Sequence, residues 1–468
     1  MSTLPRQDMN RAVDSIQAYL TDYASRLKYE DLPDEVTHAA KVRIIDTLGA
    51  VVAGFEGTPC RIVRALASEV TQEAGATILG THIKTTTDMA AFANATAARF
   101  PELTDTYHWP GSAYGHPSDV ITPLLSVAET MRARGRDLIT SVVLAYEVFC
   151  NLSDVFHNKG FDPSNFSCVA TALGAGWLLR LPSNELAHCI SMAVTPNVIL
   201  RQVRLDHLTM FKVVAAGHAA RAGVFAALLA RGGIEGPHLP FQGKAGWCQY
   251  VAGEGLSLGP FGGNGVAFKT PVSRIKMRPC AGNTISSVLA AEKIAPIENI
   301  EKIERVTVEV YKAAKIASGT GEHFWNPESA ETADHSIPYL IAVALIDGTV
   351  TPQSYDDAHL WNPRVRELMA RIEVAENEMY TRLYEQVPQT HHTRVTVTMR
   401  NGEVLVGSSG GDEDDLAAPK SDAQVEEKFR RLTEDRLRPG RVNEILDNLW
   451  HLENLKNVAH IPSAFLLE

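Results

Sequence analysis

Lys212 to Gly232 reads KVVAAGHAARAGVFAALLARG, more than half alanine or glycine and apolar on almost every face. A helix that is apolar nearly all round has to be buried. Side chains this short let a neighbouring helix approach closely, so the partner is expected to be another helix. The theme recurs. Val42–Gly54 (VRIIDTLGAVVAG) is apolar almost all round, and Ala90–Arg99, Val120–Arg132, Leu138–Leu152 and Cys168–Leu181 carry helical apolar spacing. Residues 1 to about 260 therefore read as helix after helix in tight all-α packing.

The pattern changes after about residue 265, where Gly262-Gly-Asn-Gly265 marks a break. Arg305–Tyr311 (RVTVEVY) alternates as a half-buried strand does. Thr393–Met399 and Glu403–Val406 flank Asn401-Gly402, a pair suited to a type I′ hairpin turn. Helical stretches fall near 284–294, 334–346 and 362–375, and from Ser421 onward the tail returns to amphipathic helix. The expected fold is mainly α with an α+β insert: a large helical domain (1–268), a smaller α+β lid (269–412), and C-terminal helices (413–468) returning to the first domain. There is no internal repeat and no low-complexity segment.

With 45% hydrophobic and 21% charged residues over 468 positions, the chain can bury substantial cores. A formal charge of −11 argues against a nucleic-acid partner, which would need a basic face. A small anionic substrate stays open, because a few convergent cations override a negative total. The acidic run Gly411–Asp415 reads as a solvated loop. Six cysteines lie far apart with no CxxC, the usage of a reduced cytoplasmic protein without a zinc or iron–sulfur site. The N-terminus is polar and amphipathic, and no apolar stretch reaches membrane-spanning length without a charge or a break. A cytoplasmic location without a membrane partner is expected.

Chemistry is concentrated in Arg99–Thr106 (RFPELTDT) and Gly115–Asp119 (GHPSD). These set Glu102, Asp105, Thr106 and His116 around one loop. Pro110, Gly111, Gly115 and Pro117 break any helix there. Acid, base and hydroxyl groups gathered on a loop are what proton transfer needs. On spacing alone, a solvated connection with an N-cap at Ser118 or Asp119 accounts for it as well.

Two lysines stand out. Lys212 opens the small-residue helix and must snorkel, pair or face a cavity. Lys276 lies in Arg274–Cys280 (RIKMRPC) before a helix start at Gly282–Thr284; the segment reads either as a basic surface loop or as a carboxylate-attracting helix entrance. Asp334-His335-Ser336 reads as an N-cap before IPYLIAVALIDG. His391-His392 reads as exposed and lacks a third metal ligand nearby. The glycines of 253–265 are too weak a pattern for a dinucleotide site.

In this order, the segments resemble the MmgE/PrpD family nearly end to end. Ile44–Gly49 resembles its first buried helix. Glu102–Thr106 with Gly115–Asp119 resembles its "DFxDT…GHPSD" loop, and Lys212–Gly223 with Phe241-Gln-Gly243 its lysine-bearing helix and following loop. Arg274–Pro279 resembles the "K-x-x-P" segment, Asp334–Tyr339 the "DHxIxY" element, and Pro419–Phe429 the closing helix. The resemblance implies a helical domain with an α+β lid, a homodimer, a cleft between the domains, small polycarboxylate substrates, and chemistry without metal or organic cofactor. Carried over by position, His116, Asp105 and Lys212 are catalytic candidates, and Glu102, Thr106 and Lys276 substrate-binding ones. His116 would act as base or acid with Asp105 orienting it; Lys212 and Lys276 would clamp carboxylates, Lys276 from the lid side. Four departures stand out: Glu102 replaces an aspartate, the loop from Thr106 to His116 is longer, and Asp162 and Ile285 stand where histidines are often found. The expected reaction is dehydration of a 2-methylcitrate- or citrate-like acid. Decarboxylation, epimerisation of a related diacid, or a non-catalytic helical binding protein are the alternatives.

Overall fold

A computed structural model of the chain describes residues 12–109 and 111–467. Nine helices build the first layer: α1 (Ser15–Arg26), α2 (Asp34–Gly54), α3 (Thr58–Ser68), α4 (Thr87–Arg99), α5 (Ile121–Thr130), α6 (Gly135–Val155), α7 (Ser164–Leu178), α8 (Ser183–Val194) and α9 (Phe211–Arg231). The alanine and glycine content of α9 has a direct packing use. A Cβ on Gly217 would lie 2.8 Å from the Phe92 carbonyl of α4, and one on Gly223 would lie 2.6 Å from the Cys168 carbonyl of α7. The helix is thus wedged between two others at a separation that larger side chains forbid. α6 and α9 are long and apolar enough to cross a bilayer by length and composition, and 89% and 61% of their apolar windows are buried inside the fold.

After a small hairpin early in the chain, β1 (Ala76–Thr77) with β2 (Lys84–Thr85), the strands fall in the second half. β3 (Ile303–Val310), β4 (Ile372–Glu376), β5 (Thr393–Met399) and β6 (Val404–Ser409) form one mixed sheet in the order β4-β3-β5-β6. β3 pairs in parallel with β4 and antiparallel with β5. Val306, Val308 and Val310 alternate inward, as their spacing predicts, beneath helices Ile285–Glu292 and Ile337–Asp347. The chain is mainly α with an α+β portion.

The structure departs from expectation at three places. Helix 362–375 ends at Met369, and Ile372–Glu376 is a strand instead, because Ile372 and Val374 pair beside β3 and enter its core. The β5–β6 turn is not type I′, since only Gly402 has positive φ (86°). Gly402 N–H donates to the Met399 carbonyl at 2.9 Å and the glycine takes the left-handed position after the turn, a three-residue connection. The 268/269 boundary falls inside the first core, which runs on through Ile275 and Met277 and resumes at Val425. The second core spans Cys280 to Leu416.

The returning tail bears on the site. In helix Asp422–Thr433, the fully buried Lys428 contacts Asp46 of α2 and donates to the Leu103 carbonyl at 2.7 Å. The last helices thereby brace the loop that follows α4.

Candidate active site

α4 ends at Arg99, and the next turns carry the chain through Glu102 in a left-handed conformation (φ 53°). Such a backbone is uncommon outside glycine, asparagine and aspartate, and here the surroundings hold it. The buried Glu102 carboxylate receives Arg99 Nη1 on Oε2 at 2.7 Å and Arg99 Nη2 on Oε1 at 3.2 Å. Lys276 Nζ reaches Oε1 at 2.6 Å, and Lys212 Nζ stands 3.2 Å from Oε2. Burial alone would raise this carboxyl; Arg99, Lys212 and Lys276 together hold it well below the usual carboxylate range.

His116 sits against the same group. Its Nε2 is 2.7 Å from Arg99 Nη2 and its Nδ1 is 2.8 Å from the Asp105 carbonyl. Arginine can only donate, so Nε2 must accept and Nδ1–H must donate to Asp105. The imidazole is therefore a neutral, oriented ring. Burial first, then Arg99 and Lys276, hold its pKa well below the ordinary histidine value. Gly115 lets the ring sit there, because a Cβ would lie 2.6 Å from Phe149 and 2.8 Å from Pro163.

The long loop between Thr106 and His116 is a closed excursion. Tyr107 and Gly115 bridge at its base through hydrogen bonds of 2.8 and 3.2 Å, and Tyr107 Oη donates to Asp154 at 2.8 Å. Two residues of this loop, His108 and Tyr114, become cavity wall, with Tyr114 edge-on to both His108 and His116.

A cavity of about 680 Å³ gathers Arg99, Glu102, His116, Asp119, Arg201, Arg204 and Lys212 from the helical side with His335, Tyr384, residues 281–283 and part of the 313–320 segment from the α+β side. Lys212 is buried and held by both Asp334 oxygens at 3.0 Å, with His335 Nδ1 at 3.3 Å. Asp334 therefore serves Lys212, while Ser336 caps the following helix by accepting from Tyr339 N–H. Asp119, for which spacing alone allows an N-cap, is a pocket carboxyl. Its one side-chain hydrogen bond among the described residues comes from Ser167 Oγ at 3.4 Å. Burial, partly offset by Arg99 and Arg204, lifts its pKa from 3.8 to about 7.

Four of the expected residues, Glu102, His116, Lys212 and Lys276, meet around one carboxylate. Lys276 is fully buried and grips Glu102 without lining the cavity. Its neighbours Ile275 and Met277 pack in the helical core, so it does not act from the lid side. Burial pulls the ammonium down and the adjacent Glu102 more than offsets this, leaving its pKa above the ordinary lysine value. The Asp105 carboxylate faces away from the cavity, accepting from Ser118 N–H and Tyr146 Oη at 3.0 Å each; only its main chain orients His116. The Thr106 hydroxyl is buried without a partner among the described residues, while its backbone pairs with Arg274 at 2.7 and 2.8 Å, placing Lys276 two residues further along. The acidic run is not a solvated loop: Asp412, Asp414 and Asp415 meet Lys293, Arg278 and His391. His391 is accordingly buried.

The MmgE/PrpD N-terminal domain matches residues 18–257 and the MmgE/PrpD C-terminal domain residues 279–452. The chain belongs to the MmgE/PrpD family. It is 24% identical to human cis-aconitate decarboxylase over 460 residues, covering 92% of this chain and 90% of that one. It is 27% identical to the 2-methylcitrate dehydratase-like protein oryR of Aspergillus oryzae (96% and 95% covered) and 25% identical to 2-methylcitrate dehydratase of Cupriavidus necator (84% of each). The two positions expected to depart from the family pattern each have a physical role here. Ile285 is fully buried at the start of its helix in the α+β core. Asp162 is buried beneath Arg201 and Arg204, with Arg204 Nε at 2.6 Å.

Proposed function

We propose that this chain is a lyase acting on a small polycarboxylate, with dehydration of a 2-methylcitrate- or citrate-like acid as the best reading. One observation carries it: a neutral histidine and a carboxyl of near-neutral pKa share a cavity with excess positive charge. Arg99, Arg201, Arg204 and Lys212 line it and Lys276 stands behind Glu102, five cations against the carboxylates of Glu102 and Asp206 on the wall and Asp334 and Asp162 behind it. Such a surplus suits a multiply charged anion and the enolate-like charge that develops when a C–H beside a carboxylate is broken.

Two titratable groups whose surroundings push them to different protonation states divide naturally into base and acid. His116, unprotonated at neutral pH, takes the C–H proton at Nε2. A bound carboxylate that draws the Arg99 guanidinium onto itself frees that lone pair. The electron pair left on carbon forms the C=C bond, the C–O bond breaks, and Asp119 delivers its proton to the departing hydroxyl, releasing water. The histidine's proton then returns to Asp119. Glu102 is too well stabilised by its three cations to be an effective base; it sets their positions.

Decarboxylation of a cis-aconitate-like acid is the second reading, favoured by the similar identities to relatives named for either reaction. It passes through the same carbanion-like charge. Incubation with citrate, 2-methylcitrate and cis-aconitate, read by NMR, separates the two: an unsaturated acid of unchanged carbon count supports dehydration, and loss of carbon dioxide supports the second reading. Binding without turnover of any of the three would replace both with a non-catalytic binding protein. A cytoplasmic homodimer belongs to the same reading; Leu200, Leu205, Phe211 and Phe225 are exposed apolar side chains on and before α9 that a second copy would cover.

A further inference from the structure

Arg201 and Arg204 are not needed for the proton transfers above, yet the fold takes pains to aim them. They lie on one 3₁₀ turn, Arg201–Arg204, in which positions three apart eclipse, so both side chains leave the same side. The turn is fastened to the Gly160–Pro163 loop by a Phe161–Leu200 bridge, with Asp162 N–H to the Ile199 carbonyl at 3.0 Å and Arg201 N–H to the Gly160 carbonyl at 2.9 Å. Asn165 adds two 2.8 Å bonds to the Ile199 main chain.

Asp162 then positions the guanidinium groups. Its Oδ1 is taken by Ser164 N–H and Oγ, at 3.0 and 2.7 Å. Its Oδ2 accepts from Arg204 Nε at 2.6 Å and stands 3.6 Å from Arg201 Nη1. One buried carboxylate needs one cation, and Arg204 supplies it through Nε alone. The Nη1/Nη2 fork of Arg204, the part that matches a carboxylate bidentately, has no protein acceptor among the described residues. Neither does the Arg201 guanidinium within hydrogen-bond distance. Both residues line the cavity that holds His116, Asp119 and Lys212. The inner cations differ: Arg99, Lys212 and Lys276 all hydrogen-bond or pair with Glu102 or Asp334.

We infer that Arg201 and Arg204 form a second carboxylate subsite, taking a substrate carboxylate remote from the carbon where His116 and Asp119 act. The pocket therefore prefers tricarboxylates to dicarboxylates. This rests on the polycarboxylate reading above.

Calorimetric titration with tricarballylate (an unreactive tricarboxylate), glutarate and inorganic phosphate tests it on the whole chain. The main variant is Arg201→Met, because that side chain is 34% exposed and its link to Asp162 is the longer one. Arg204→Lys, which keeps Asp162 paired but loses the fork, is the second. Each should weaken tricarballylate about 10-fold or more, the scale of a charge-assisted hydrogen bond, and leave glutarate within about twofold. Tricarballylate binding unchanged in both variants would overturn the subsite and leave the polycarboxylate reading standing. Equal weakening of tricarballylate and glutarate would also overturn it, since the arginines would then not select the extra carboxylate. Phosphate binding lost in the variants while tricarballylate is unaffected would assign the pair to a phosphate instead. No binding of tricarballylate to the unmodified chain would remove the subsite and the polycarboxylate reading together.

Discussion

Replacing Asp119 with asparagine should separate the energetic cost of this buried carboxyl from its chemical use. The group titrates at about 7 in the fold against 3.8 ordinarily, chiefly because burial disfavours its charge. Between those values the folded chain keeps a proton that the unfolded chain releases, so stability falls as pH rises and the loss is complete above about 7. The full span is about 3 units, or about 4 kcal/mol at 1.36 kcal/mol per unit. From pH 5.5 to 8 roughly half of it is crossed, about 2 kcal/mol. Asparagine lacks this slope. Urea unfolding at the two pH values should therefore show the Asp119→Asn chain gaining about 2 kcal/mol on the unmodified one as pH rises, while kcat falls by about 10²-fold or more, the scale of a lost general acid. The unmodified enzyme should show kcat/KM declining above pH 7, and the residual activity of the variant should lack that limb. A stability difference independent of pH, with the alkaline limb intact, would show that Asp119 is not the titrating group.

His116→Gln should fold with a melting temperature near that of the unmodified chain and lose about 10²-fold or more in kcat; near-normal turnover would remove it as the base. Lys276→Met should cost stability rather than only affinity, about 2–3 kcal/mol for a buried charged hydrogen bond removed while Glu102 keeps Arg99 and Lys212. A raised KM at unchanged stability would mean that the lysine meets substrate directly. Turnover should survive EDTA, because no three His, Cys, Asp or Glu side chains converge as a metal set among the described residues. Restoration of a chelated enzyme by one divalent ion would refute this.

Local pattern carried most of the fold. The all-round apolar character of α2 and α9, the alternation of β3, and the Ala/Gly content that admits close helices can each be read from a dozen residues. What could not be read depended on partners far along the chain. Ile372–Glu376 looked helical because its strand identity comes from lying beside β3, more than sixty residues earlier. The loop motif located His116 and Glu102, but spacing was silent on where the Asp105 carboxylate and Thr106 hydroxyl point. Lys276 read as a surface cation because its buried partner, Glu102, is 174 residues away. Asp119 stands inside the Gly115–Asp119 motif, where spacing offers an N-cap at Ser118 or Asp119 and no separate chemical role. Its position one turn after His116, in a segment already suspected of chemistry, was the signal that could have promoted it. Arg201 and Arg204 carried a signal too, two arginines three apart before a lysine-bearing helix.

The Lys428 contact with Asp46 and Leu103 sets an order of events during synthesis. A ribosome that has made residues 1–416 has already delivered every group that lines the cavity, along with the whole second core. The first core still lacks Val425, Phe429, Val442, Ile445, Leu446, Leu449 and Phe465. Until Lys428 emerges with them, Asp46 lacks its ion-pair partner and the carbonyl one residue past Glu102 lacks this donor. The loop after α4 thus gains this brace only from a late-made segment, although it is itself translated early. A nonsense codon between 416 and 428 would yield a chain that holds every cavity-lining residue but lacks the lysine that braces the loop after α4.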